Sequence, residues 1–255
     1  MIANYHTHTW RCNHASGTQE EYVEHALKRG LKILGFSDHS PYIFPGEYYS
    51  RFRMRMGKLD GYVETVLALR EKYRDQLEIP LGLELEYYPG LLPQLLPVLR
   101  DKPIEYLLLG QHFVGDEIGE HYSGRPTGEE AILRRYCTQV CDAMHTGLFT
   151  YLAHPDLFYF VGDRKVYQRH MRKIIREAKN CGIPLEINLL GLKEGRNYPD
   201  RLFWELAAEE GCKVVLGCDA HQPQSLSDTA VENKALEMVR ELGLELLETV
   251  QLRDF

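Results

Sequence analysis

Short apolar runs alternate with longer amphipathic stretches along this chain. The runs at 2–5, 33–36, 79–86, 106–109, 149–153, 184–188 and 213–216 are four to eight residues long, the length of buried strands. Between them the spacing of apolar positions predicts helices over 18–28, 59–73, 128–144, 166–180, 200–209 and 231–241. The first helix opens with Thr18-Gln19-Glu20-Glu21, a capping box, and closes at Gly30, where glycine suits a left-handed cap. Pro93, Pro97 and Pro103 punctuate the connection around 91–101, which predicts at best a short helix. About seven strand–helix units in sequence imply an α/β fold, a parallel sheet covered by helices, in a single domain over residues 1–255. Both an open doubly wound sheet and a barrel satisfy that pattern.

Composition narrows the class. Of 255 residues, 44% are apolar and 26% charged, so the chain can bury a core without staples. Lys and Arg total 30 against 37 Asp and Glu, a net charge of −7. That balance argues against nucleic acid or an anionic membrane surface as the main partner. No apolar run approaches the roughly 20 residues of a spanning helix. The opening Met1-Ile2-Ala3-Asn4-Tyr5-His6 lacks a secretory pattern, so a cytoplasmic location is expected. Six cysteines, Cys12, Cys137, Cys141, Cys181, Cys212 and Cys218, are scattered without a CxxC motif. They read as reduced, mostly packed thiols. Oligomeric state has no signature here.

The candidate chemistry sits just beyond the apolar runs. The first strand leads into His6-Thr7-His8, followed by His14 in the next turn. Residues i and i+2 of a strand point the same way, so both imidazoles can reach one ion. The second run leads into Ser37-Asp38-His39, and the third contains Gly82-Leu83-Glu84-Leu85-Glu86, two carboxylates on one face of an apolar strand. Such a pair is costly to bury without compensation. Later runs lead into Gly110-Gln111-His112, Ala153-His154-Pro155 and Gly217-Cys218-Asp219-Ala220-His221. One histidine at a strand end is ordinary; six ends bearing His, Asp or Glu form a pattern, and reactive groups at the carboxyl ends of many strands favour a barrel. Imidazole and carboxylate suit zinc, iron or manganese, and the lack of a Cys cluster argues against a structural zinc site. Nine candidate ligands (His6, His8, His14, His39, Glu84, His112, His154, Asp219 and His221) suffice for two or three divalent ions.

Together these motifs, in this order, resemble the polymerase-and-histidinol-phosphatase (PHP) family. Within it, Asn4-Tyr5-His6-Thr7-His8, Gly82 to Tyr88, and Glu186-Ile187-Asn188 followed by Gly191-Leu192-Lys193 and Tyr198-Pro199 resemble the histidinol-phosphate phosphatase branch. The resemblance implies a distorted (β/α)7 TIM-like barrel. It implies three metal positions: His6, His8, Glu84 and Asp219 at the first; His14, His39 and His221 at the second; bridging Glu84 with His112 and His154 at the third. It implies hydrolysis of L-histidinol phosphate to L-histidinol and phosphate in histidine biosynthesis. The family also contains phosphoesterases for phosphotyrosine and nucleotides, so another small phosphorylated substrate is the alternative. A metal barrel that binds a phosphorylated metabolite without turnover is a third reading.

Two ions roughly 3.5–4 Å apart can share a hydroxide that attacks phosphorus in line, so no side-chain nucleophile is needed. Asp219 or His221 is the expected proton shuttle. Among basic loop residues, the resemblance favours Arg164 and Arg196 as phosphate contacts, since the guanidinium fork suits phosphate oxygens. Glu86, Glu117, Asp116 and Asn188 are candidates for the ammonium and imidazole end. His25, His145 and His170 fall within predicted helices and read as solvated or locally bonded.

Overall fold

The computed structural model describes residues 1–119 and 121–255. Its elements in chain order begin with β1 (Ala3–Asn4), α1 (Gln19–Arg29), β2 (Ile33–Leu34), β3 (Phe36–His39), α2 (Leu59–Tyr73), β4 (Leu81–Leu85) and α3 (Leu92–Arg100). There follow β5 (Tyr106–Leu109), β6 (Phe113–Val114), β7 (His121–Tyr122), α4 (Glu130–His145), β8 (Tyr151–Leu152) and α5 (Arg164–Asn180). The chain ends with β9 (Leu185–Asn188), α6 (Leu189–Glu194), α7 (Arg201–Glu210), β10 (Lys213–Gly217), α8 (Thr229–Leu242) and β11 (Glu245–Leu246). Each apolar run of the sequence holds a strand, and each predicted helix forms within two residues of its expected ends. The capping box of α1 is present, with Gly30 left-handed at φ 83°.

The main sheet is parallel, in the order β11-β10-β9-β8-β5-β4-β3. All its carboxyl ends therefore face one side, where ligands gather in such folds. Side chains alternate across it. Leu107 and Leu109 of β5 enter the large core beneath the helices, whereas Tyr106 and Leu108 join a smaller one with Ala3, Tyr5, Tyr151, Ala153 and Val215. β1 pairs with β2, and the segment that follows lies between β3 and the end of β10. Ser37 N–H donates to Thr7 O at 2.8 Å on one side, and His8 N–H to Ala220 O at 3.0 Å on the other. Among the described residues no helix is long and apolar enough to cross a membrane.

Four details depart from the sequence reading. The second run breaks at Gly35, where a Cβ would sit 2.3 Å from the Tyr106 hydroxyl. That hydroxyl instead donates to Tyr5 O and Phe36 O, at 2.8 and 3.1 Å. α3 runs nine residues despite Pro97, because both Pro93 and Pro97 are exposed while Leu92, Leu95 and Leu99 are buried. A proline on the solvent side leaves its orphaned carbonyl partner to water. Residues 189–194, which the pattern leaves outside any predicted strand or helix, form α6, started by Asn188 accepting from Gly191 N–H. β11 and the β6–β7 hairpin are two-residue strands with no periodic signal to find.

Candidate metal centre

Glu84 in β4 is the hub. Its Oε1 lies 2.8 Å from His154 Nε2 and 3.6 Å from His112 Nε2. Its Oε2 lies 2.9 Å from His39 Nδ1 and 3.6 Å from both His6 Nε2 and His8 Nε2. Asp219 Oδ1 stands 3.0 Å from His8 Nε2 and 3.6 Å from His6 Nε2. His14 and His221 oppose their Nε2 atoms at 2.8 Å, and with His39 they place three ligand atoms within 4.8 Å of one another. All nine candidate ligands are thus brought together.

Three carboxylates outside that set orient the imidazoles. The His6 Nδ1–H donates to Glu186 at 2.7 Å, and the His112 Nδ1–H to Glu86 at 2.9 Å. His8 Nδ1 lies 3.5 Å from Asp38, whose other oxygen accepts from the Thr9 hydroxyl. In each case the far ring nitrogen is left facing Glu84 or Asp219, the arrangement that fixes tautomer and ring direction in metal sites. Glu186 also accepts from the His154 N–H and from Asn188 Nδ2, at 2.9 and 3.0 Å. Sequence reasoning missed Glu186 and Asp38 as working residues, although both lie inside motifs it quoted.

Glycines make room for the two central acids. A Cβ on Gly110 would sit 1.9 Å from Glu84 Oε1, and one on Gly217 would sit 1.7 Å from Glu186 Oε1. His154 and Asp219 hold positive φ values of 29° and 45°. Left-handed backbone at such residues costs about 1–3 kcal/mol each and concentrates at functional sites.

Burial opposes charge on His6 and His8, yet the surrounding carboxylates carry both imidazoles upward, His8 to about 9. Burial likewise opposes charge on Glu84, but the imidazoles of His112, His39 and His6 hold it well below the carboxylate range. His14 is pushed down to about 4 by desolvation and by its neighbours His221 and His8, and burial lowers His39 too. The hub therefore attracts positive charge, while neutral imidazoles flank it. His6 Nε2, His8 Nε2, His39 Nδ1 and Glu84 Oε2 are buried without a hydrogen-bond partner. Leaving such atoms unpaired costs about 1–3 kcal/mol each. One or more divalent cations would satisfy all of them, and the N/O donor set fits zinc, iron or manganese. Cys12, expected as a packed thiol, does lie within reach of His8 and His221. Burial, reinforced by Asp38, pushes that thiol up.

A cavity of about 450 Å³ opens over the cluster. Its floor is His14, His39, His112, His154, Asp219 and His221; its wall includes Phe52, Phe113, Tyr122, Tyr198, Glu194 and Arg196. Arg196 is where the sequence reading expected a phosphate contact. Its Nη1 donates to the Tyr198 hydroxyl at 2.7 Å and its Nε to Glu194 at 2.8 Å. Arg164 is not in this wall. It stands at the start of α5, paired with Asp200 at 2.7 Å. Glu86 and Glu117 are also elsewhere, both held by the buried Arg53. That guanidinium bonds Glu86 through two nitrogens at 2.9 and 3.0 Å and reaches Glu117 at 2.7 Å. Asn188 lies beneath the cavity, donating to Glu186 and to Asp219 at 3.0 and 3.2 Å. His25, His145 and His170 are locally bonded, to Ser227, Glu177 and Glu130.

Comparison with known proteins identifies the family. A family model described as the PHP domain matches residues 4–189. A probable histidinol-phosphatase of Deinococcus radiodurans is 30% identical over 253 residues, covering 95% of this chain and 94% of that one. The histidinol-phosphatase of Bacillus subtilis is 24% identical, covering 85% and 92%. A crystal structure of Lactococcus lactis histidinol phosphate phosphatase, complexed with zinc, L-histidinol and phosphate, shares the fold. It has a TM-score of 0.77 at 19% identity and covers 100% of this chain and 99% of its own. The family match spans well over half of the sequence, and the chain belongs to the PHP domain family.

Proposed function

We propose that this phosphoric monoester hydrolase acts on L-histidinol phosphate, releasing L-histidinol and phosphate with the help of divalent metal ions. The observation that carries the chemistry is the group of buried, unpartnered nitrogens converging on Glu84; the full-length relatives named histidinol-phosphatase support the substrate. His6, His8, Glu84 and Asp219 would hold one ion, His14, His39 and His221 a second, and Glu84 with His112 and His154 a third. When bound, such ions neutralise phosphoryl charge and make a water acidic enough to lose its proton near neutral pH.

The remaining tasks fall to this chain's own groups. Arg196 receives two phosphate oxygens in its fork. Asp219 and His221, 3.3 Å apart, serve as the acid–base pair that returns a proton to the departing alkoxide as the P–O ester bond breaks. Asn188 holds Asp219 in place. Glu86 and Glu117 do not contact substrate in this reading, because Arg53 binds both and His112 also holds Glu86, and Arg164 lies outside the cavity wall. We also infer a distorted seven-unit barrel: the 3–8 segment bonds to β3 on one side and beyond β10 on the other, around the inner core that contains Tyr5, Tyr106 and Tyr151.

The test is phosphate release from L-histidinol phosphate against phosphotyrosine, nucleotide monophosphates and sugar phosphates, before chelation, after it, and after metal is restored. We expect kcat/KM for L-histidinol phosphate at least about 100-fold above the others, lost on chelation and regained with zinc, manganese or iron. A different preferred ester would replace the substrate. Release unchanged after verified removal of metal would overturn the chemistry.

A further inference from the structure

The cavity wall contains an ion pair whose two members sit at the same opening. Glu194 ends α6, Gly195 turns left-handed at φ 63°, and Arg196 follows. Arg196 reaches Glu194 Oε2 through Nε at 2.8 Å and Nη2 at 2.7 Å. The Arg196 and Glu194 side chains are 38% and 49% exposed, so water screens the pair and it separates at little cost. Among the described residues, the other carboxylate in this wall is Asp219, which is buried in the ligand cluster and engaged by His8 and Asn188. Among the described residues, Glu194 is thus the one carboxylate of the cavity lining outside that cluster, with Arg196 as its one ion-pair partner.

We propose that Glu194 selects phosphomonoesters that carry a cationic amine. The inference rests on the phosphatase reading above. A ligand with phosphate at one end and ammonium at the other replaces both members of the pair: Arg196 turns to the phosphate and Glu194 to the ammonium. Charge pairing is exchanged rather than lost. An ester without an amine takes Arg196 and leaves Glu194 unpaired beside an anionic ligand, which penalises it. One residue therefore both attracts the amino ester and disfavours the ester that lacks an amine.

The experiment compares wild type, Glu194→Gln and Glu194→Asp on L-histidinol phosphate and on its des-amino analogue, with metal content matched. We expect the ratio of kcat/KM between amino and des-amino esters to fall at least tenfold in Glu194→Gln. The loss should lie in KM for the amino ester, and Glu194→Asp should keep the ratio within about threefold of wild type. If Glu194→Gln changes both esters by one common factor, Glu194 merely steadies Arg196 and the proposal is overturned. A wild type that favours the des-amino ester overturns it as well. Failure of the wild type to release phosphate from either ester is a separate result, which removes the phosphatase reading itself.

Discussion

Gly110 shows how narrowly the hub is built. Glu84 Oε1 occupies the place a methyl group would take, and His154 Nε2 holds the carboxylate there at 2.8 Å. Gly110→Ala must push Glu84 aside, and a displacement of about 1 Å at a reacting centre can cost about 100-fold in rate. We expect that loss together with weaker metal retention and an unchanged far-ultraviolet circular dichroism spectrum. Activity within threefold of wild type would show that Glu84 is not held where we describe it. The ligands themselves were legible in the sequence, because His6 and His8, or Asp219 and His221, combine an i, i+2 spacing with an apolar run. Glu186, Asp38 and Glu86 were not assignable, since a buried carboxylate on a strand looks the same whether it binds metal, steadies an imidazole or pairs with arginine. The partner decides, and Arg53 lies on a loop whose path no periodicity reveals.

At the scale of elements, helices fasten the frame that delivers these residues. Arg172 and Arg176 of α5 both pair with Glu210 at the end of α7, and these bonds hold the Glu210 carboxyl below its ordinary 4.5. A depressed folded-state pKa gives stability that is present above the unfolded pKa and lost as pH falls through the folded one. Glu210→Gln should therefore lower Tm by about 1–3 °C at pH 7, and the gap from wild type should close as pH falls below about 4. A gap that stays constant down to pH 3 would assign the effect to packing instead. Helices of this length were readable from their apolar spacing. α6 was not, because six residues give too little periodicity and its cap, Asn188, drew attention as a site residue.

Across the whole molecule, a chain of net charge −7 gathers its candidate ligands at one end of its sheet. Its parallel strands converge their carboxyl ends on a cavity whose floor is imidazole and carboxylate and whose wall presents Arg196. With divalent cations held at that cluster, local charge would draw an anionic ester there despite the overall sign. The sequence pattern indicated the alternation of strands and helices, but not the strand order, and the bonding of the 3–8 segment beyond β10 depends on contacts more than 200 residues apart. The central claim is that Glu84 joins divalent ions into one working cluster. Elemental analysis and phosphate release, performed on the same preparations of wild type and Glu84→Gln, test it most directly. We expect two or three ions per wild-type chain, and fewer ions with activity reduced at least about 100-fold in the variant, because a neutral amide bridges cations poorly. A metal-free wild type with full turnover, or a Glu84→Gln chain that keeps both its ions and its rate, would contradict the claim.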